Sequence, residues 1–140
     1  MKPVRALVID DSLTIRGIIE SILLRGNDVE IVGMVSDVEA ARGVMEARRP
    51  NVITLDLALP GMDGMAFLRE LTRYPHAPVI VVSSATTEGS PQTAEALRLG
   101  ADACFDKARL VQETDRFLRA LHKAAARRHR LRRSGLPDAA

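Results

Sequence analysis

Val52-Ile53-Thr54-Leu55-Asp56-Leu57-Ala58-Leu59-Pro60-Gly61-Met62-Asp63-Gly64 is the stretch on which the fold turns. Val52–Leu55 reads as a short strand buried on both faces, because it lacks the polar alternation of a half-exposed one. The run stops at an acid, Asp56, and passes into turn chemistry, where Pro60 fixes φ and the glycines permit positive φ. A helix from Met65 to about Arg73 is expected next. A buried strand that ends on a carboxylate and feeds a helix is one β-α unit of a parallel sheet covered on both sides.

The same unit recurs in both directions along the chain. Upstream, Val4–Ile9 (VRALVI) is a strand that stops at Asp10-Asp11. Leu13–Arg25 follows with Ile15, Ile18, Ile19, Ile22 and Leu23 at the spacing of a one-faced helix. Ser12 stands at its N-cap and Gly26-Asn27 at its stop. Val29–Val35 is the next strand, and Ser36 or Asp37 caps a helix running to about Arg49, before Pro50. Downstream, Val79–Val82 ends in Ser83-Ser84, and Ser90-Pro91 reads as N-cap and N1 of a helix closed by Gly100. Ala103–Phe105 is a fifth strand ending at Asp106-Lys107. The last helix is expected from Arg109 to at least Lys123, with Leu110, Val111, Phe117, Leu118 and Leu121 on its apolar face. Five β-α units within 122 residues predict a doubly wound α/β fold around a five-stranded parallel sheet.

Composition agrees with one soluble domain. The chain has 140 residues, 46% apolar and 27% charged, the balance of a globular protein. No apolar run nears the ~20 residues that cross a bilayer, and the N-terminal run is too short for a signal peptide. The single cysteine, Cys104, excludes an intramolecular disulfide or thiolate cluster, so a cytoplasmic location is expected. His76, His122 and His129 follow no metal-ligand spacing and read as surface residues. The pI of about 9.1 misleads, because six Lys/Arg and no acid lie between Lys123 and Arg133. Residues 1–122 carry 14 basic and 17 acidic residues. The basic character therefore belongs to residues 124–140, a tail expected as a helix extension or a disordered end, and it is no argument for nucleic-acid binding.

In an open parallel sheet the functional crevice lies beyond the C-terminal strand ends. There the strand pattern delivers Asp10 and Asp11, Asp56, Ser83 and Ser84, and Lys107. A lone Asp-Asp pair is most often a turn or helix cap. Three acids at two strand ends with a lysine at another are hard to obtain from capping alone. Carboxylates crowded together need a cation, and Mg²⁺, a hard ion that takes oxygen ligands, is the natural one. A carboxylate beside it is a competent nucleophile toward phosphorus, with a hydroxyl and an ammonium to hold phosphoryl oxygens. A phosphatase with its nucleophilic Asp on the first strand is the enzymatic alternative. Such enzymes need Asp-x-Asp, whereas Asp10-Asp11-Ser12 sets the second acid adjacent.

With these residues in place, residues 4–122 resemble the receiver domains of bacterial two-component response regulators. The likeness rests on Asp10-Asp11, Leu55-Asp56-Leu57, Pro60–Gly64, Val79–Ser84, Leu97–Ala101 and Lys107. Ser83–Gly89 is most similar to the receiver half of chemotaxis methylesterases. The resemblance implies a flavodoxin-like (βα)5 receiver fold over residues 1–123, with Asp56 accepting a phosphoryl group from a histidine kinase. It implies Mg²⁺ held by Asp11, Asp56 and the Ala58 backbone carbonyl, with Asp10 acting mainly through water. Ser83, chosen over Ser84 by counting from Pro78, would follow the phosphoryl group, and Lys107 would pair with one of its oxygens. Such a module is no enzyme beyond adding and losing its own phosphate. The partners it implies are a histidine kinase or phosphotransfer protein and a downstream protein target. A weak homodimer is allowed; membrane insertion and nucleic acid are not expected. Because about 17 residues follow Lys123, a single-domain regulator is expected, with the front part of a larger methylesterase-like regulator as the alternative. Two positions depart from the pattern. Cys104 stands where an aromatic often swings inward, and Ala108 stands where Pro usually follows the lysine, so a differently shaped loop is expected there.

Overall fold

The computed structural model describes residues 3–26, 28–61 and 63–133, with the backbone alone for 128–133. The helix stop expected at Asn27 and the surface position expected of His129 lie outside the described residues. Five strands, β1 (Val4–Ile9), β2 (Val29–Val35), β3 (Val52–Leu55), β4 (Val79–Ser83) and β5 (Ala103–Asp106), form one parallel sheet in the order β2-β1-β3-β4-β5. The helices are α1 (Leu13–Leu23), α2 (Val38–Arg48), α3 (Gly64–Leu71), α4 (Pro91–Arg98) and α5 (Thr114–Arg133).

Period-two alternation sorts the strand residues onto two faces. Leu7, Ile9, Ile53, Leu55, Val79 and Val81 pack with α2, α3 and Ala96 of α4. Ala6, Val8, Val52, Ile80, Val82 and Phe105 pack with α1 and α5. With both faces covered, every β1, β3 and β4 residue except Arg5 is buried, which is why these strands carry no alternating polar residues. All three phenylalanines are fully buried, Phe105 and Phe117 edge to face at 5.3 Å. Each stabilises the fold by about 1.5–3 kcal/mol through burial.

The caps act where short polar side chains were expected to. Ser12, Asp37 and Ser90 accept backbone N–H groups from Ile15, Ala40 and Thr93. Gly61 and Gly100 take the left-handed φ values of +81° and +102° that side-chain-bearing residues avoid. Gly64 does not.

The largest correction concerns the last helix. Asp106 accepts the Ala108 N–H at 3.0 Å and winds Lys107–Arg109 into a single 3-10 turn. The α-helix proper starts only at Thr114. Leu110 is buried in that connection, but Val111 is 64% exposed and lies on no apolar face. Strands β4 and β5 each run one residue further than expected, because Ser83 and Asp106 still pair. At the other end α5 continues to Arg133. Ala124 and Ala125 are buried in the layer between α1, α5 and the sheet. Arg127 grips Asp102 through two hydrogen bonds of 2.9 and 2.7 Å. The core therefore does not stop at Lys123.

Candidate functional site: an acidic cluster at the strand ends

Three strand ends meet at one point. Asp10 follows β1 and is 1% exposed; Asp56 follows β3 and is 2% exposed; Asp11 lies at the surface beside them. One carboxylate oxygen from each of the three lies within 4.8 Å of the others. Lys107, just past β5, reaches across the sheet and places Nζ 2.9 Å from Asp56 Oδ2 and 3.1 Å from Asp10 Oδ2. Residues separated by 97 positions in sequence are thus brought together by strand order alone.

Each carboxylate is partly held by its own turn. Asp10 Oδ1 accepts the Ser12 N–H at 2.8 Å, and Asp56 Oδ1 accepts the Ala58 N–H at 3.2 Å. Burial pushes the Asp10 carboxyl above its usual range and the Asp56 charge adds to this, while the Ser12 N–H and Lys107 oppose it. Burial alone would lower the Lys107 ammonium, yet its contacts with Asp56 and Asp10 outweigh that and the net direction is upward. Lys107 is therefore a fixed positive charge. One cation facing three acids leaves the cluster short of positive charge.

That shortage is the test for a metal. Asp10 Oδ2 is buried, and its one close cationic neighbour among the described residues is the Lys107 ammonium at 3.1 Å. A buried anionic oxygen with free lone pairs, two neighbouring carboxylates and only oxygen donors suits a hard cation such as Mg²⁺. The residues fit it.

Ser83 ends the strand next to Asp56, wholly buried, with Oγ accepting the Ala85 N–H at 3.3 Å. Ser84 is exposed. Ala58 is exposed on the same rim. Cys104 is half-buried and burial pushes its thiol up to about 11, which makes it a packing residue on the α2–α4 side rather than a nucleophile. Phe105 faces the opposite layer. The Lys107–Ala108 bond is trans and sits in the 3-10 turn.

The sequence reading took Gly64 only as part of the Pro60–Gly64 turn and missed its packing role, and it passed over Thr86. A Cβ on Gly64 would stand 2.4 Å from the Asp56 carbonyl oxygen and 2.5 Å from Leu57 Cα. The first turn of α3 rests directly on the end of β3, its Gly64 N–H bonded to the Leu57 carbonyl at 2.7 Å. Only the spacing of eight residues from Asp56 hinted at this, and it was consistent with a turn glycine. Thr86 is buried among exposed loop residues. Its sequence neighbourhood, Ala85-Thr86-Thr87, carried no signal separating it from the exposed Thr87.

The comparisons with known proteins agree with this geometry. A protein-glutamate methylesterase/protein-glutamine glutaminase of Caulobacter vibrioides is 43% identical over 107 residues. The match takes in 76% of this chain but 31% of that protein, so the chain spans less than a third of the length of that relative. The response regulator domain of Thermotoga maritima CheB superposes with a TM-score of 0.82 at 30% identity, over 89% of this chain and 98% of that one. The CheY6 complex with the CheA3 P1 domain from R. sphaeroides gives 0.72 at 30% identity, over 89% and 100%. Among the described residues, no helix is long and apolar enough to cross a membrane. Residues 6–119, from β1 through the first turns of α5, match the response regulator receiver domain, and the chain belongs to that family.

Proposed function

We propose that Asp56 is a phosphoacceptor and that the domain is a phosphorylation-operated binding switch. The observation that carries this is the Lys107 ammonium 2.9 Å from Asp56 in a cluster of three carboxylates. In the reaction, an Asp56 carboxylate oxygen attacks phosphorus. The bond from phosphorus to the donor breaks, its electron pair leaves with the donor group, and an acyl phosphate results. Lys107 stays cationic and stabilises the phosphoryl oxygens as their charge develops. Ser83 offers a buried hydroxyl on the neighbouring strand end, now accepting the Ala85 N–H and free to follow a phosphoryl oxygen. Asp10, Asp11, Asp56 and the Ala58 carbonyl would hold Mg²⁺, which when bound supplies the missing positive charge for phosphoryl transfer.

The donor we assign is a phosphohistidine of a histidine kinase or phosphotransfer protein, supported by the complex of the similar CheY6 with CheA3 P1. Leu13, two residues past Asp11, and Val111, four past Lys107, are exposed apolar side chains that suit a protein donor at this rim. Output is a change of binding surface toward a protein target, in a cytoplasmic setting. It runs without a rotating aromatic, since Cys104 holds that position. A second reading, favoured by the methylesterases to which the chain is similar, has the same switch govern an esterase.

Incubation with acetyl phosphate and Mg²⁺ should add one phosphate by mass spectrometry, absent in Asp56→Ala. A wild-type chain that gains no mass under these conditions rules the reading out.

A further inference from the structure

The β4–β5 ladder ends at the Ser83–Asp106 pair, and beyond it the two chains part. One enters the exposed loop leading to α4; the other enters the turn that carries Lys107. Ser84, Thr87, Glu88 and Gly89 of the loop are exposed, whereas Thr86 is 2% exposed. Most buried hydroxyls are hydrogen-bonded, and the Thr86 hydroxyl has two acceptors within reach. It donates to the Phe105 carbonyl at 2.7 Å and reaches the Ser83 carbonyl at 3.1 Å. The Thr86 N–H also points to the Ser83 carbonyl, at 3.3 Å.

This side chain therefore prolongs the pairing of the two strands past its backbone end. The β5 side of the clamp is itself held, because the Phe105 ring packs on Phe117 at 5.3 Å and under the Arg116 guanidinium at 4.4 Å. The loop is pinned on its far side too, Ser90 Oγ donating to the Ala85 carbonyl at 3.0 Å and Thr93 Oγ1 to the Thr87 carbonyl at 2.9 Å. Ser83 at the end of β4 and Lys107, two residues beyond Phe105 of β5, are thus referenced to one hydroxyl.

We propose that Thr86 is a positioning residue for phosphoryl transfer to Asp56, holding the Ser83 hydroxyl and the Lys107 ammonium in register. The assignment rests on the phosphoacceptor reading. The hydrogen bonds of Thr86 go to the Ser83 and Phe105 carbonyls and not to the acids, so its loss should slow the transfer and leave magnesium binding intact.

The experiment compares wild type, Thr86→Val, which keeps the shape without the hydroxyl, and Thr86→Ser, which keeps the hydroxyl. Rates are followed against acetyl phosphate concentration, with magnesium affinity measured by calorimetry. Thr86→Val should lower the maximal rate about tenfold, as small misplacements of positioned groups do. The half-saturating donor concentration and the magnesium affinity should stay at wild-type values, and Thr86→Ser should restore the rate to within about twofold. A Thr86→Val rate equal to wild type overturns the proposal, as does a Thr86→Ser rate as slow as Thr86→Val or a magnesium affinity that falls in step with the rate. If wild type itself takes no phosphate, the phosphoacceptor reading fails and this assignment with it. Should Thr86→Val not fold, Thr86→Ser is compared with Thr86→Ala: a fast serine and slow alanine support the clamp, and equal rates overturn it.

Discussion

The two ends of the sheet handle charge in opposite ways. At the N-terminal ends of the strands two acids each have a basic partner of their own. Asp28, before β2, faces His122 at 3.1 Å, and Asp102, before β5, is gripped by Arg127 at 2.7 Å. Both pairs are partly open to water and cost little to form or lose. At the C-terminal ends two buried acids share one lysine, with a third carboxylate beside them at the surface. Stability accounts for the first arrangement. It does not account for the second, since crowding like charges in a desolvated place costs free energy that a neutral core would not. An arrangement kept against stability is what a site for a cation and a charged reactant requires.

If that contrast holds, substitutions at the acidic end should have large effects and those at the opposite end small ones. Gly64→Ala should have the largest. Its Cβ would meet backbone atoms of Asp56 and Leu57, which have no rotamer by which to yield. A loss of about 3 kcal/mol or more in urea unfolding is expected, at or above the upper range for overpacking. Gly17→Ala, on the exposed face of α1 with nothing within 4 Å, should instead gain up to about 1 kcal/mol. Equal behaviour of the two would show that α3 does not rest on β3.

Lys107→Ala comes next. It takes the paired cation from the buried Asp10 and Asp56, and removing one partner of a buried pair costs about 3 kcal/mol. Magnesium should then raise the unfolding midpoint more in the variant than in wild type, because the metal meets a more negative cluster and binds the folded state alone. An equal magnesium shift in both proteins would mean that the cluster is not short of positive charge.

The fold was legible because strand burial and helix caps are local in sequence. Val4–Ile9, Val29–Val35 and Val52–Leu55 occur as read, and Ser12, Asp37 and Ser90 cap as read. The acids and Lys107 were legible because parallel topology sends every strand end to one rim, so residue type and strand position suffice to bring them together. What escaped depends on distances between elements. Nothing in Gly64 itself says that α3 rests on β3, and nothing distinguishes Thr86 from Thr87 until the loop's path is known. The start of α5 was misplaced for a local reason of another kind. Asp106 ends β5 as read, but its side chain also caps a separate turn, and the helix starts only at Thr114. His122 was read as a surface residue, and its bond to Asp28, 94 residues away, has no trace in the sequence.

His122 gives the smallest effect and the one with a definite sign. Its Nδ1 lies 2.9 Å from the Leu118 carbonyl and its Nε2 3.1 Å from Asp28 Oδ1. Both partners only accept, and both ring nitrogens donate only in the imidazolium. Burial alone would favour the neutral ring, but the two acceptors outweigh it and the net direction is upward. Asp28 is correspondingly held below its ordinary value, chiefly by its hydrogen bond to His122. A histidine with a raised folded value stabilises fully below the unfolded value of about 6.5, and loses that contribution as pH rises through the folded one. The Asp28 contribution is present above about 3.9 and is lost as pH falls through its lowered folded value. Together they confine the pair's stabilisation to mildly acidic and near-neutral pH. The thermal midpoint of wild type should therefore exceed that of His122→Gln most near about pH 5–6, and the two should converge at mildly alkaline pH. A difference that is flat from acid to alkaline pH would place the stabilisation in packing. The two ends of the sheet would then differ in burial alone, and not in how each balances its charge.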